Sequence, residues 1–264
     1  MAADILKRIA ADKRIQVAQE KKEISYEKLK ETAMVTKSSL TDFIFEKALQ
    51  KEGISFICEV KKASPSKGII SKDFPYIDIA REYEKAGADC ISVLTESKYF
   101  LGSDRYLSEI RNAVKLPIIR KDFIVDTYQI YQAKVIGANA VLLICSLMNA
   151  EFLEECIGIC NRLGISALVE VHCEDEVQMA MKAGARMIGV NNRNLKDFSV
   201  DVCNSIRLRQ LVPKEIIFVA ESGIRSRDDI NNLEKEGVNA VLVGESLMQS
   251  KSKEQKLKEL KGML

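Results

Sequence analysis

Eight short, nearly unbroken apolar runs recur along the chain, at residues 54–60, 90–96, 116–123, 140–146, 166–172, 187–192, 216–223 and 240–245. Almost every one ends in a side chain able to move a proton or in a glycine able to admit an anion. Runs this short, rich in Val, Ile and Leu, fit strands buried on both faces, which is the condition of a parallel sheet. Between them lie amphipathic segments with apolar residues three and four apart, such as YIDIAREYEKAGA, TYQIYQAKVIGA, AEFLEECIGICNRLG and VDVCNSIRLRQLV. Several close on the glycine that a left-handed helix end favours. Strand then helix, eight times over, predicts an α/β fold with a parallel sheet.

A repeated phrase argues that the sheet closes. KAGADCISVLTE, VIGANAVLLIC, KAGARMIGVNN and KEGVNAVLVGE each run from helix end through glycine into a buried strand. Their glycines, Gly87, Gly137, Gly184 and Gly237, lie about 50 residues apart, so every second strand is entered through the same turn. Paired βα units in fourfold array suit a closed eight-stranded barrel better than an open sheet with a switch point. The expected architecture is a single (β/α)8 TIM barrel over residues 1–264. Residues 1–50, with helical patterns in ADILKRIAADKRIQVAQEKK and SYEKLKETA, form a helical N-terminal extension packed onto it.

Composition narrows the function classes. Forty basic and 38 acidic residues leave a net charge of +2, which gives no reason to expect nucleic acid or a membrane surface as partner. The charged N-terminus lacks the apolar core of a signal peptide, and no stretch approaches the roughly 18 apolar residues of a membrane span. Seven cysteines, an odd number, sit mostly in apolar segments (Cys58, Cys90 and Cys145 among them), which suits reduced thiols in a cytoplasmic protein. Cys156 and Cys160 stand one helical turn apart, but with a single histidine and no second ligand pair they predict no metal site. Without a strong apolar stripe on the helices, a monomer is the default.

Against the apolar strands, Glu59, Lys121, Glu170 and Glu221 stand out. A charge there costs several kcal/mol unless it is paired or solvated. Salt bridges sealing a barrel mouth would explain one pair; a whole set at the C-terminal strand ends, where barrels of this kind keep their active sites, points to chemistry. Gly223 and Gly244, at the ends of the last two strands, let backbone amides approach an anion, and a short helix starting near Glu245–Ser246 would turn its positive end toward it. The loop 61–75 is long for its place and carries Ser64, Pro65, Ser66, Lys67 and Gly68 behind two lysines, as a loop gripping an anionic substrate would.

These segments together are specific. EVKKASPSKG (59–68), SVLTE (92–96), RKDFIVD (120–126), LVEVH (168–172), GVNNRNL (189–195), AESGI (220–224) and VGESLM (243–248) resemble the indole-3-glycerol-phosphate synthase family, in order and over almost the whole chain. ILKRIAADKRIQV is similar to the helix preceding the barrel in that family. The departures are small: Cys58 before Glu59, Cys145–Ser146 closing the fourth strand, and a loosely matching VDVCNSIRLRQLVP.

The resemblance implies ring closure of 1-(2-carboxyphenylamino)-1-deoxyribulose 5-phosphate, with loss of carbon dioxide and then water, and no cofactor or metal. It implies Lys121 as general acid at the carbonyl, with a pKa that a low-dielectric pocket would lower toward working pH. Glu59 would hold Lys121 and stabilise positive charge. Glu170 would be the base of the dehydration, and Lys61 a carboxylate anchor or second acid. Asn191 and Arg193 would bind substrate hydroxyls and carboxylate, although a loop salt bridge is the other reading of Arg193. Glu221 would position the sugar or the lysine network. Ser222, Gly223, Gly244, Glu245 and Ser64 would hold the phosphate. His172, two residues beyond Glu170 and on the same strand face, reads as structural. Two rivals remain at this stage, a Schiff-base aldolase using Lys121 as nucleophile and a barrel that binds a phosphorylated metabolite without turnover.

Overall fold

The computed structural model describes residues 5–36, 43–194 and 198–263. Eight strands, β1 (Ser55–Val60), β2 (Cys90–Leu94), β3 (Ile118–Lys121), β4 (Ala140–Ile144), β5 (Ser166–Val171), β6 (Met187–Asn191), β7 (Ile217–Glu221) and β8 (Ala240–Val243), lie in sequence order around a closed barrel. Every pairing is parallel, and β8 returns to β1 with Ser55 opposite Ala240. Closure leaves no unpaired edge for another chain to extend.

Helices α1 (Ile5–Glu23), α2 (Tyr26–Val35) and α3 (Ile44–Leu49) precede the barrel. Then α4 (Tyr76–Lys85), α5 (Asp104–Ala113), α6 (Tyr128–Val135), α7 (Ala150–Leu163), α8 (Glu174–Lys182), α9 (Cys203–Arg209) and α10 (Arg227–Lys235) each follow one of β1 to β7. α11 (Glu245–Gln249) and α12 (Lys253–Leu260) follow β8. The four repeated glycines all adopt positive φ, between 78° and 92°, which only glycine takes without strain. α9 is shorter than its apolar pattern predicts. Val200 is taken by an antiparallel bridge to Arg193, and the Asp201 amide donates to the Asn192 carbonyl at 2.9 Å, so the helix begins only at Cys203. The loop after β1 is braced by a two-residue antiparallel ladder, Ala63–Ser64 with Gly68–Ile69.

Alternation along each strand sorts the core into two shells. Outward residues such as Cys58, Val93, Val169 and Ala220 pack under the helices. Inward residues such as Ile57, Ile119, Leu168 and Val219 fill the barrel, together with Phe45 and Leu49 of α3. Two residues further along these four strands, on the same inward face, come Glu59, Lys121, Glu170 and Glu221. Alternate strands supply each layer of a barrel of this type, so the odd strands carry the charged layer and the even strands do not.

α1 crosses the mouth, and a buried ion pair fastens it there. Lys13 Nζ lies 2.9 Å from Asp122 Oδ1, and both side chains are almost fully buried. Asp122 also accepts from Thr95 Oγ1 at 2.7 Å and from its neighbour's amide, Phe123 N, at 2.8 Å, and it faces Arg120, itself paired with Asp104 at 2.9 Å. Two cations and two carboxylates cancel, which makes burial of Lys13, Arg120 and Asp122 tolerable, with Asp104 at the partly exposed edge of the set. Removing one partner strands a buried charge, and Lys13→Ala is expected to lower the unfolding free energy in urea by about 3–5 kcal/mol. A loss below about 1 kcal/mol would show that Arg120 and Thr95 satisfy Asp122 without α1.

Candidate functional site

The twelve residues singled out in the sequence for catalysis or substrate binding, Glu59, Lys61, Ser64, Lys121, Glu170, Asn191, Arg193, Glu221, Ser222, Gly223, Gly244 and Glu245, all line one cavity of about 700 Å³ at the C-terminal mouth of the barrel. Lys121 stands at its floor. Its Nζ lies 3.3 Å from Glu170 Oε2 and makes a short contact with Glu221 Oε2. Glu59 pairs closely with Lys61 instead. The expectation that Glu59 holds Lys121 directly is therefore corrected: strand order places Lys61 two residues from Glu59 on the same strand end, and Glu59 reaches Lys121 only through its field.

Two glycines make this crowding possible. A Cβ on Gly189 would collide with Glu221 Oε1 and press on Leu168, and a Cβ on Gly244 would collide with Glu59 Oε1. Gly244 thus serves the carboxylate layer as well as the loop beyond it. After β7 the chain turns through Ser222 (φ 67°) and Gly223 (φ 84°), two consecutive left-handed residues. A left-handed serine is uncommon and costs strain that surrounding contacts must hold. Asn192 supplies them: its Nδ2 donates to the Ser222 carbonyl at 3.1 Å, and its Oδ1 accepts from the Ser205 hydroxyl at 2.7 Å and amide at 3.1 Å. Gly223 also has no room for a side chain, because Val200 and Val202 pack against it.

The charged layer polarises its members. Burial alone would depress Lys121, but the fields of Glu221, Glu170 and Glu59 and the Glu221 hydrogen bond outweigh it, and the pKa is raised. This reverses the lowering expected from a pocket of low dielectric, because three carboxylates converge on one ammonium. The two carboxylates are driven apart. Burial would raise Glu170, yet Lys121, His172 and a hydrogen bond from Asn191 hold it below its ordinary value. Burial dominates at Glu221, with the Glu170 and Glu59 charges adding to it against the pull of Lys121, and pushes it up to about 7. Its Oε1 is buried and without a hydrogen-bond partner, as a carboxyl that carries a proton part of the time can be.

At the other end of the cavity, Arg193 makes the loop salt bridge weighed for it above. A guanidinium nitrogen lies 2.9 Å from Glu245 Oε2, and Lys67 Nζ lies 3.5 Å from Glu245 Oε1. The Glu245 side chain is thereby neutralised by two cations, which leaves its backbone at the start of α11 as the part that faces an anion. Arg225 and Lys256 join the same end.

The apolar wall escaped the sequence reading. Phe100 and Phe123 lie with ring centroids 5.9 Å apart, and Ile5, Leu6 and Ile9 of α1 face the same space. Phe123 had a legible signal, since it follows Lys121 by two residues. Phe100 had none in its own run; it is placed by Glu96, whose buried carboxylate accepts the backbone N–H groups of Lys98 (3.0 Å), Tyr99 (2.7 Å) and Phe100 (3.0 Å).

With this geometry in place the comparisons with known proteins are decisive. Residues 6–260 match the family model described as indole-3-glycerol phosphate synthase. The chain belongs to the indole-3-glycerol phosphate synthase family. With it, the chain takes its place among the carboxy-lyases of tryptophan biosynthesis. It is 55% identical over 260 residues to the indole-3-glycerol phosphate synthase of Ruminiclostridium cellulolyticum, covering 98% of this chain and 99% of that protein. It is 54% identical to that of Endomicrobium trichonymphae, covering 97% and 99%. Among solved structures, 3-hexulose-6-phosphate synthase from Salmonella typhimurium superposes with a TM-score of 0.65 at 14% identity, over 80% of this chain and 98% of that one. At that identity the likeness concerns the barrel fold alone.

Glu221 makes a signed pH dependence. The unfolded chain releases its proton near the ordinary value of 4.5, while the folded protein holds it up to about 7. Between those limits the folded state binds more protons, so this group's contribution to stability falls as pH rises through the window. The stability of wild type minus that of Glu221→Gln, measured by urea unfolding, should therefore fall from pH 5 to pH 7.5. A difference constant across that range would show that Glu221 titrates normally.

Proposed function

We propose that the cavity closes the pyrrole ring of 1-(2-carboxyphenylamino)-1-deoxyribulose 5-phosphate, with Lys121 as general acid. The observation that carries this reading is Lys121 held between the carboxylates of Glu170 and Glu221, with an apolar wall on one side and a basic, glycine-lined turn on the other. The substrate's shape is complementary. Its aromatic ring suits Phe100 and Phe123. Its phosphate suits the turn at Ser222, Gly223 and Gly244 and the adjacent backbone of Glu245, within the field of Arg225 and Lys256.

In the first step the ring carbon bearing the carboxylate attacks the ketone, and the carbonyl oxygen takes a proton from Lys121. The surrounding carboxylates keep Lys121 charged at rest, the state in which an acid must begin. Glu59 balances positive charge that develops on the anilinium nitrogen, Lys61 anchors the substrate carboxylate until carbon dioxide departs, and Ser64 joins the phosphate-holding turn. In the dehydration the hydroxyl leaves as water with a proton from Lys61, acting as second acid once carbon dioxide has gone. Glu170, kept ionised and hydrogen-bonded by Asn191, takes the proton from the adjacent ring carbon, and both lysines regain their protons from solvent. Glu221 shares the Lys121 proton and steadies the sugar hydroxyls. Arg193 steers the anionic substrate through its bridge to Glu245 rather than as a free guanidinium.

A Schiff-base route through Lys121 is disfavoured by the same charges, since a nucleophilic lysine must be neutral and three carboxylates oppose that. The free cysteines support a cytoplasmic protein, and the lack of a strong apolar stripe on the helices supports a monomer, working on a small phosphorylated substrate with residues 1–50 serving the barrel as its extension. Among the described residues no helix is long and apolar enough to cross a membrane.

The test is direct. Purified protein given this one substrate, without metal or nucleotide, should yield a fluorescent indole product, and Lys121→Ala should lower kcat by about a hundredfold or more while a phosphate-bearing product analogue still binds. Near-normal kcat in Lys121→Ala would remove the acid from this scheme, and borohydride trapping of substrate on Lys121 would replace the scheme with the aldolase one.

A further inference from the structure

A second cavity, of about 510 Å³, opens on the far side of Asn191 and Arg193, and it contains the chain's one histidine. His172 directly follows β5, two residues beyond Glu170. Its Nδ1 lies 3.4 Å from Glu176 Oε2 of α8, and the same carboxylate oxygen accepts the His172 backbone N–H at 2.7 Å. Its Nε2 lies 3.7 Å from Glu170 Oε1, the oxygen that does not face Lys121, and is buried without a hydrogen-bond partner. The imidazole is therefore fixed between the proposed base and the second cavity.

With Nδ1–H directed at Glu176, the neutral ring turns a lone pair on Nε2 toward an ionised Glu170. Two acceptors face each other, and one proton between them would satisfy both. The charged groups around the ring are Glu170 on its own strand, Glu176 from α8, Glu221 from β7, and Asp201 and Arg193 from the loop after β6. Burial works against a charge on the ring, but the Glu176 hydrogen bond and the Glu170 and Glu221 fields prevail and raise its pKa.

We propose that His172 is a proton relay that returns Glu170 to its carboxylate form after each dehydration and delivers the proton to the second cavity. Once the 3.7 Å gap closes to hydrogen-bond distance, the Glu170 O–H bond breaks as the Nε2–H bond forms on the neutral ring, and the imidazolium then releases its Nδ1 proton to Glu176 and the solvent of that cavity. Tautomer exchange with solvent restores the starting ring, and no oxidation or reduction is involved. His172 touches no reacting atom; it is a positioning residue acting through Glu170. The inference rests on Glu170 being the base proposed above.

His172→Gln keeps a polar side chain of similar reach and removes the titration. Its kcat should fall about tenfold, less than the hundredfold or more expected of a group that moves the substrate's own proton, with KM nearly unchanged. The acid limb of kcat should move to lower pH, and added imidazole should restore part of the turnover. Wild-type kcat with an unmoved pH profile overturns the relay. So does an equal loss at every pH that imidazole does not relieve, because that marks packing alone. Glu170→Gln separates the two claims: near-normal turnover there sinks the role of Glu170 itself, whereas an inactive Glu170→Gln beside a normal His172→Gln sinks only the relay. If His172→Gln does not fold, Glu176→Gln is read by the same criteria, with loss of kcat and a displaced acid limb expected.

Discussion

Charge neutrality in a space that water reaches poorly governs the upper half of this barrel. One ammonium, Lys121, sits within reach of Glu170 and Glu221 and in the field of Glu59, and Glu59 in turn holds Lys61. None of these groups could be buried alone, since an isolated ion in such a place costs several kcal/mol or shifts its pKa until it is neutral. With three carboxylates and two ammoniums the set cannot all ionise at equal ease, and the excess of acid is expressed as one carboxylate held low and another pushed up. Opposed pKa values in neighbouring groups are what acid–base chemistry requires.

Neutral residues hold that arrangement in place. Gly189 and Gly244 surrender the volume that Glu221 and Glu59 occupy. Asn192, buried and bonded through both its amide nitrogen and its amide oxygen, ties the end of β6 to the left-handed turn at Ser222 and to the start of α9. The Glu96 side chain acts in the same manner, gathering three amides so that Phe100 is held at the cavity. α1, pinned by Lys13 to Asp122, adds an apolar wall beside the residue that follows Lys121. Strand, loop and extension thus converge on one lysine.

Much of this was legible in order along the chain. The apolar runs located the eight strands, the recurrent glycines announced the turns that later proved left-handed, and the parity of each strand put Glu59, Lys121, Glu170 and Glu221 on one face. Period-two alternation is a local property, so a single sequence can carry it. α9 is shorter than its pattern because Val200 is claimed by a bridge to Arg193, a contact absent from any helical pattern. Lys13 is illegible for a related cause, since its partner Asp122 lies far along the chain, whereas Phe100 is placed by nearby Glu96 but meets Phe123 only in the fold.

The order of residues was enough to specify a closed α/β barrel, the strand ends that carry reactive groups, and the family, since all three depend on periodicity and on motifs that are contiguous in the chain. Pairing was settled by the folded arrangement: Glu59 with Lys61, Arg193 with Glu245, His172 between Glu170 and Glu176. So was the direction in which Lys121 and Glu221 shift. Coulomb energies vary with separation and surroundings over a few ångströms, and those distances exist only once strands far apart in number have closed around the same cavity.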